Sequence, residues 1–108
     1  MRILVVEDDG NKFQRVSECL TAIDGIGIDQ VENCRDALSA KRLLLRNRYD
    51  LLILDIVLPD RIDSRASPDG GIRLLDEISE RDGYMVPDHI VGLTAFAEVH
   101  AGARDRFC

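Results

Sequence analysis

Short apolar runs alternate along this chain with longer amphipathic stretches. Ile3-Leu4-Val5-Val6 is continuous and mostly β-branched, which predicts a short strand over residues 2–6 covered on both faces. After Glu7-Asp8-Asp9-Gly10, the residues Phe13, Val16, Leu20 and Ile23 recur at helical spacing and predict a helix over about 11–22. Asp24-Gly25-Ile26-Gly27 ends it. Residues 28–32 read as a weak strand through Ile28 and Val31. A second helix follows to about residue 48, with Asn33 as its expected N-cap and Ala37, Ala40, Leu43 and Leu44 on one face.

Leu51-Leu52-Ile53-Leu54 is a second strongly apolar strand, ending on Asp55. Ile56-Val57-Leu58-Pro59 leads into a polar stretch over 60–69 that holds one aliphatic residue and reads as an exposed loop. Gly70-Gly71 opens a third helix with Ile72, Leu75 and Ile78 inward. Residues 89–93 form another apolar strand, ending at Thr94, and a fourth helix is expected over 95–107. Strands alternating with amphipathic helices predict an α/β fold, a doubly wound parallel sheet joined by right-handed crossovers.

Composition narrows the function classes. With 108 residues the chain makes one domain. Its net charge is −6, from 14 basic against 20 acidic residues, and only Lys12 and Lys41 are lysines. That balance disfavours direct nucleic-acid binding and docking on an anionic membrane. The longest apolar run is four residues, too short to span a bilayer, and the N-terminus has no signal-peptide pattern. Cys19, Cys34 and Cys108 have no zinc spacing and read as free thiols in a reducing cytoplasm.

The candidate chemistry lies where strands end. In a doubly wound sheet, ligands bind beyond the carboxyl ends of the strands, at a switch point. If the first and third strands are neighbours, Glu7, Asp8 and Asp55 converge there. Clustered carboxylates raise one another's pKa, and a divalent cation relieves them. An all-oxygen donor set points to magnesium, with manganese or calcium as alternatives. A carboxylate beside such a cation can attack a phosphoryl group, and a hydroxyl such as that of Thr94 can donate to its oxygens. Asp9 is expected to serve the helix N-terminus instead.

Four blocks in order resemble the receiver domains of two-component response regulators. They are Ile3-Leu4-Val5-Val6-Glu7-Asp8-Asp9, the run from Tyr49 to Pro59 around Asp55, Gly70-Gly71, and Val91-Gly92-Leu93-Thr94-Ala95. The resemblance implies a flavodoxin-like fold with strand order 2-1-3-4. It implies that Asp55 is the phospho-acceptor, that Asp8 ligates Mg2+ directly and Glu7 through water, and that the Val57 backbone carbonyl is a further ligand. Thr94 would be the switch hydroxyl, with small Ala95 leaving room beside it. The phosphoryl donor would be a histidine kinase or a phosphotransfer protein, and self-catalysed phosphotransfer the only chemistry.

The sequence departs from the family pattern at two places. The loop over 60–69 is longer than usual. The family's fifth strand, carrying a lysine about twenty residues past the switch hydroxyl, and its fifth helix are not found before Cys108. Lys12 and Lys41, on other elements, are not expected to replace that lysine. The expectation is therefore a receiver domain over 1–108, truncated at its C-terminal end, whose exposed edge at residues 90–93 favours a homodimer or a partner chain. One alternative is a degenerate receiver acting as an unphosphorylated interaction or dimerisation module. Another is a magnesium-dependent phosphohydrolase with Asp55 as nucleophile, disfavoured because Val57 stands where a general acid is wanted.

Overall fold

The computed structural model describes residues 1–93; the expected switch hydroxyl of Thr94 and the helix over 95–107 lie outside the described residues. The strand β1 (Ile3–Val6) leads to α1 (Gly10–Thr21), a single 3-10 turn (Ile28–Gln30), β2 (Val31–Cys34) and α2 (Ala37–Arg46). Then come β3 (Leu51–Asp55), the two-residue strands β4 (Leu58–Pro59) and β5 (Ala66–Ser67), α3 (Gly70–Glu80) and β6 (His89–Leu93). The main sheet is parallel in the order β2-β1-β3-β6. Counting only its four strands in chain order, this is the expected 2-1-3-4.

Strand periodicity sorts the core into two layers. Leu4, Val6, Leu52 and Leu54 point to one face, where Ala37, Ala40 and Leu44 of α2 and Leu74, Leu75 and Ile78 of α3 cover them. Ile3, Val5 and Ile53 point to the other face, against Leu20, Phe13 and Val16 of α1. Both faces of β1 and β3 are thus dry, which is why these strands carry unbroken apolar runs. Each fully buried aliphatic side chain contributes about 1.5–3 kcal/mol of apolar burial. Among the described residues, no helix is long and apolar enough to cross a membrane.

Three local expectations are corrected. Ile28 lies in the 3-10 turn, 64% exposed, and β2 begins only at Val31. Asn33 is a strand residue, and its side-chain amide donates to the carbonyls of Val5 and Cys34 at 2.9 and 3.1 Å. The N-cap of α2 is Asp36, whose Oδ2 accepts from the Ser39 amide at 3.1 Å. In α3, Leu74 is buried together with the expected Leu75 and Ile78, while Ile72 is half-buried.

The long loop has structure of its own. β4 and β5 pair antiparallel, Leu58 opposite Ser67 and Pro59 opposite Ala66. Arg73 of α3 holds the ribbon's base through Asp60 at 3.2 Å, the Ser67 hydroxyl at 2.8 Å and Asp69 at 3.2 Å. The Asp60 carbonyl also accepts from the Leu38 amide of α2 at 2.9 Å. The polar composition of 60–69 therefore conceals a ribbon fastened to two helices.

Candidate functional site

Backbone register builds the acid pocket. Val6 pairs with Leu54 across β1 and β3, so the next residues of the two strands, Glu7 and Asp55, emerge side by side at the carboxyl edge. One oxygen each from Glu7, Asp8 and Asp55 falls within 4.8 Å of the others, as the sequence reading expected. Glu7 and Asp55 are 1% and 2% exposed, and Asp8 is half-buried.

Two glycines set the floor. Gly71 donates its amide to the Ile56 carbonyl at 2.8 Å, and a Cβ added there would stand 2.2 Å from the Asp55 carbonyl oxygen. A Cβ at Gly70 would stand 2.2 Å from the Leu58 carbonyl oxygen. The start of α3 can lie this close to the pocket backbone only because both residues lack side chains.

Glu7 is the least satisfied group of the pocket. Its Oε2 accepts a long bond from the Asp9 amide at 3.3 Å, while its buried Oε1 has no hydrogen-bond partner. Burial, and then the charge of Asp55, push its carboxyl up from 4.5 to about 8. Asp55 is better held. Its Oδ1 accepts from the Val57 amide at 3.1 Å, and its Oδ2 meets the Lys12 ammonium at 3.4 Å. A buried, orphaned carboxylate oxygen beside two further carboxylates is a hard-oxygen donor set that fits a magnesium-sized cation.

Asp9 sits at the helix, not in the pocket. It is the N-cap of α1, and its Oδ1 accepts from the Asn11 and Lys12 amides at 2.8 and 3.4 Å. This cap aims the first turn of α1 over the strand ends and brings Lys12 to Asp55. Lys12, which the sequence reading set aside, is the side chain that reaches into the pocket. Its place on the first helical turn after the acidic loop was the available signal, since that turn overhangs the pocket in this architecture. Burial works against its charge, but Asp55 and Glu7 outweigh burial and raise its pKa. Arg35 approaches from the other side, its guanidinium donating to the Asp8 carbonyl at 2.8 Å. Lys41 is remote from this cluster and pairs with Glu77 at 3.0 Å.

Comparison with known proteins agrees with this architecture. The family model described as the response regulator receiver domain matches residues 3–104. The uncharacterized protein y4jS of Sinorhizobium fredii is 35% identical over 107 residues, covering 99% of this chain and 26% of that protein. The chain spans about a quarter of the length of the curated relatives it matches. The response regulatory domain of mrkE from Klebsiella pneumoniae superimposes with a TM-score of 0.70 at 26% identity, covering 97% of this chain and 75% of that one. The non-phosphorylated HemR receiver domain from Leptospira biflexa does so with a TM-score of 0.60 at 28% identity, covering 96% and 73%. Sheet order, acid pocket and family match converge: the chain belongs to the receiver domains of response regulators and is a module of two-component signalling.

Proposed function

We propose that this chain is a phosphorylation-dependent switch in which Asp55 accepts a phosphoryl group from a histidine kinase or a phosphotransfer protein. The observation that carries the reading is the convergence of Glu7, Asp8 and Asp55 with one buried Glu7 oxygen lacking a partner. Glu7, Asp8, Asp55 and the Val57 backbone carbonyl would hold Mg2+, and Thr94 would supply the hydroxyl that answers phosphorylation. Magnesium, when bound there, neutralises charge on the transferred group.

The chain's own groups do the rest. The Val57 amide fixes Asp55 Oδ1 and so orients the carboxylate at the strand end. An Asp55 oxygen attacks phosphorus, the bond to the donor's imidazole nitrogen breaks, and that nitrogen leaves with the electron pair. Self-catalysed transfer and hydrolysis are the only chemistry, so the chain is not an enzyme in the usual sense. The reading places it in the cytoplasm with its kinase, in keeping with free thiols at Cys19 and Cys34.

Incubation with acetyl phosphate and magnesium, followed by intact-mass measurement, tests the reading. One added phosphoryl group is expected on the parent and none on Asp55→Asn. A parent that stays unlabelled while folded would overturn the switch and favour the unphosphorylated interaction module.

A further inference from the structure

The acid pocket contains its own cation. Lys12 Nζ stands 3.4 Å from Asp55 Oδ2, while the other Asp55 oxygen is engaged by the Val57 amide. The Lys12 side chain is 38% exposed and reaches in from solvent on a flexible stem, whereas the Asp55 side chain is 3% exposed and fixed. The base of that stem is anchored, because the Lys12 amide and the neighbouring Asn11 amide both bond to the Asp9 cap. The contact spans 43 residues of sequence and joins α1 to the end of β3.

An ammonium so placed has two consequences. It lowers the negative charge of the pocket before any ligand arrives, and it repels a divalent cation approaching the same carboxylate. Once the charge on Asp55 is moved outward onto phosphoryl oxygens, the same ammonium can follow it by a change of rotamer. We propose that Lys12 is the resident counter-cation of this pocket: it competes with the divalent cation for Asp55 and pairs with the phosphoryl group that Asp55 carries. This rests on the reading of Asp55 as acceptor. It assigns to the first turn of α1 a role that the sequence reading denied to Lys12.

The two halves of the proposal push in opposite directions, which separates them from simple damage to the fold. Titration calorimetry with magnesium alone, at low salt, compares the parent with Lys12→Gln and Lys12→Arg. Lys12→Gln is expected to bind magnesium about threefold to tenfold more tightly, an advantage that shrinks as salt is added. Beryllofluoride with magnesium, a mimic of the phosphoryl group, is expected to bind Lys12→Gln about tenfold more weakly than the parent. Lys12→Arg keeps the charge and should lie near the parent in both titrations. A urea midpoint for each variant reports any change in folding.

Lys12→Gln matching the parent in both titrations, whatever its urea midpoint, would overturn the proposal and leave Lys12 a surface ion pair. Tighter magnesium binding with unchanged beryllofluoride binding would overturn the phosphoryl half. Failure of the underlying reading looks different. The parent itself would then bind no beryllofluoride and take no label from acetyl phosphate, which removes the phosphoryl half, while the magnesium titration still decides the competition.

Discussion

Two carboxylates show what is particular about the pocket. Glu77 of α3 lies between α2 and α3, where Lys41 pairs with it at 3.0 Å and the Tyr84 hydroxyl donates to its other oxygen. The Tyr84 hydrogen bond first, and Lys41 next, hold its carboxyl below the usual 4.5. Glu7 is more deeply buried, has a partnerless oxygen, and is pushed up to about 8. In one place the fold settles a charge with its own donors. In the other it leaves a carboxyl oxygen without a donor, so that ionising it costs stability unless a cation is supplied. The difference separates a carboxylate that serves architecture from one kept for a ligand.

The comparison breaks most completely if the pocket floor is lost. Gly71→Ala would drive a Cβ into the Asp55 carbonyl oxygen and the Ile56 backbone. Expected is a loss of about 3 kcal/mol or more in urea unfolding, together with loss of magnesium binding. A variant as stable as the parent would mean that the start of α3 can move away from β3 freely.

Asp8→Asn comes next. It removes one charge of the proposed ligand set while leaving Glu7 and Asp55 in place, and magnesium affinity by calorimetry is expected to fall about tenfold or more. Unchanged affinity would remove Asp8 from the site.

The pH dependence of stability sharpens the contrast, because the two glutamates have opposite slopes. Glu7 binds its proton more tightly folded than unfolded. In chelator its contribution is therefore fully present below about 4.5 and is lost as pH rises toward about 8. Glu77 is depressed when folded, so its contribution is present above 4.5 and is lost as pH falls through its lowered value. Glu7→Gln should abolish the first slope while leaving the second. Tyr84→Phe should cost about 0.5–1.5 kcal/mol at neutral pH and less in acid. Urea midpoints measured across pH check both, and a Glu7→Gln profile identical to that of the parent would contradict the assignment.

The smallest effect concerns the thiols. Burial first, then Asp36 and Glu32, push the Cys34 thiol up to about 12, so a maleimide should label Cys19 readily and Cys34 only on unfolding. Labelling of Cys34 at the rate of Cys19 would show that β2 opens easily.

Legibility in the sequence followed the strength of the local signal. β1 and β3 were readable because burial on both faces demands unbroken apolar runs, and as neighbours they bring their terminal acids together by register alone. β6 was readable from its apolar composition, although its residues are exposed or half-buried. β2 was misplaced because Val31–Cys34 contains one buried residue, Cys34, while the misleading Ile28 is exposed in a turn. Asn33 resembled a cap because asparagine favours both caps and carbonyl-bonding loops; its bonds here go across the sheet to Val5. The β4–β5 ribbon, two residues to a strand, is too short to show a period. Lys12 was set aside because spacing alone does not show an ion pair across 43 residues; only its place on the first helical turn pointed to it.

The Asp9 cap makes the stretch from Glu7 to Lys12 a single ruler. Glu7 accepts from the Asp9 amide, Asp9 accepts from the Asn11 and Lys12 amides, and the ammonium of Lys12 returns to Asp55 beside Glu7. The acidic pair Glu7 and Asp8 and the Lys12 ammonium are therefore measured off along six consecutive residues. One residue inserted after the cap would turn Lys12 through about 100° around the axis of α1 and leave the acids unmoved. The loop's length is then as much a part of the pocket as its side chains, and an insertion there, harmless to the core, would uncouple the pocket's charges.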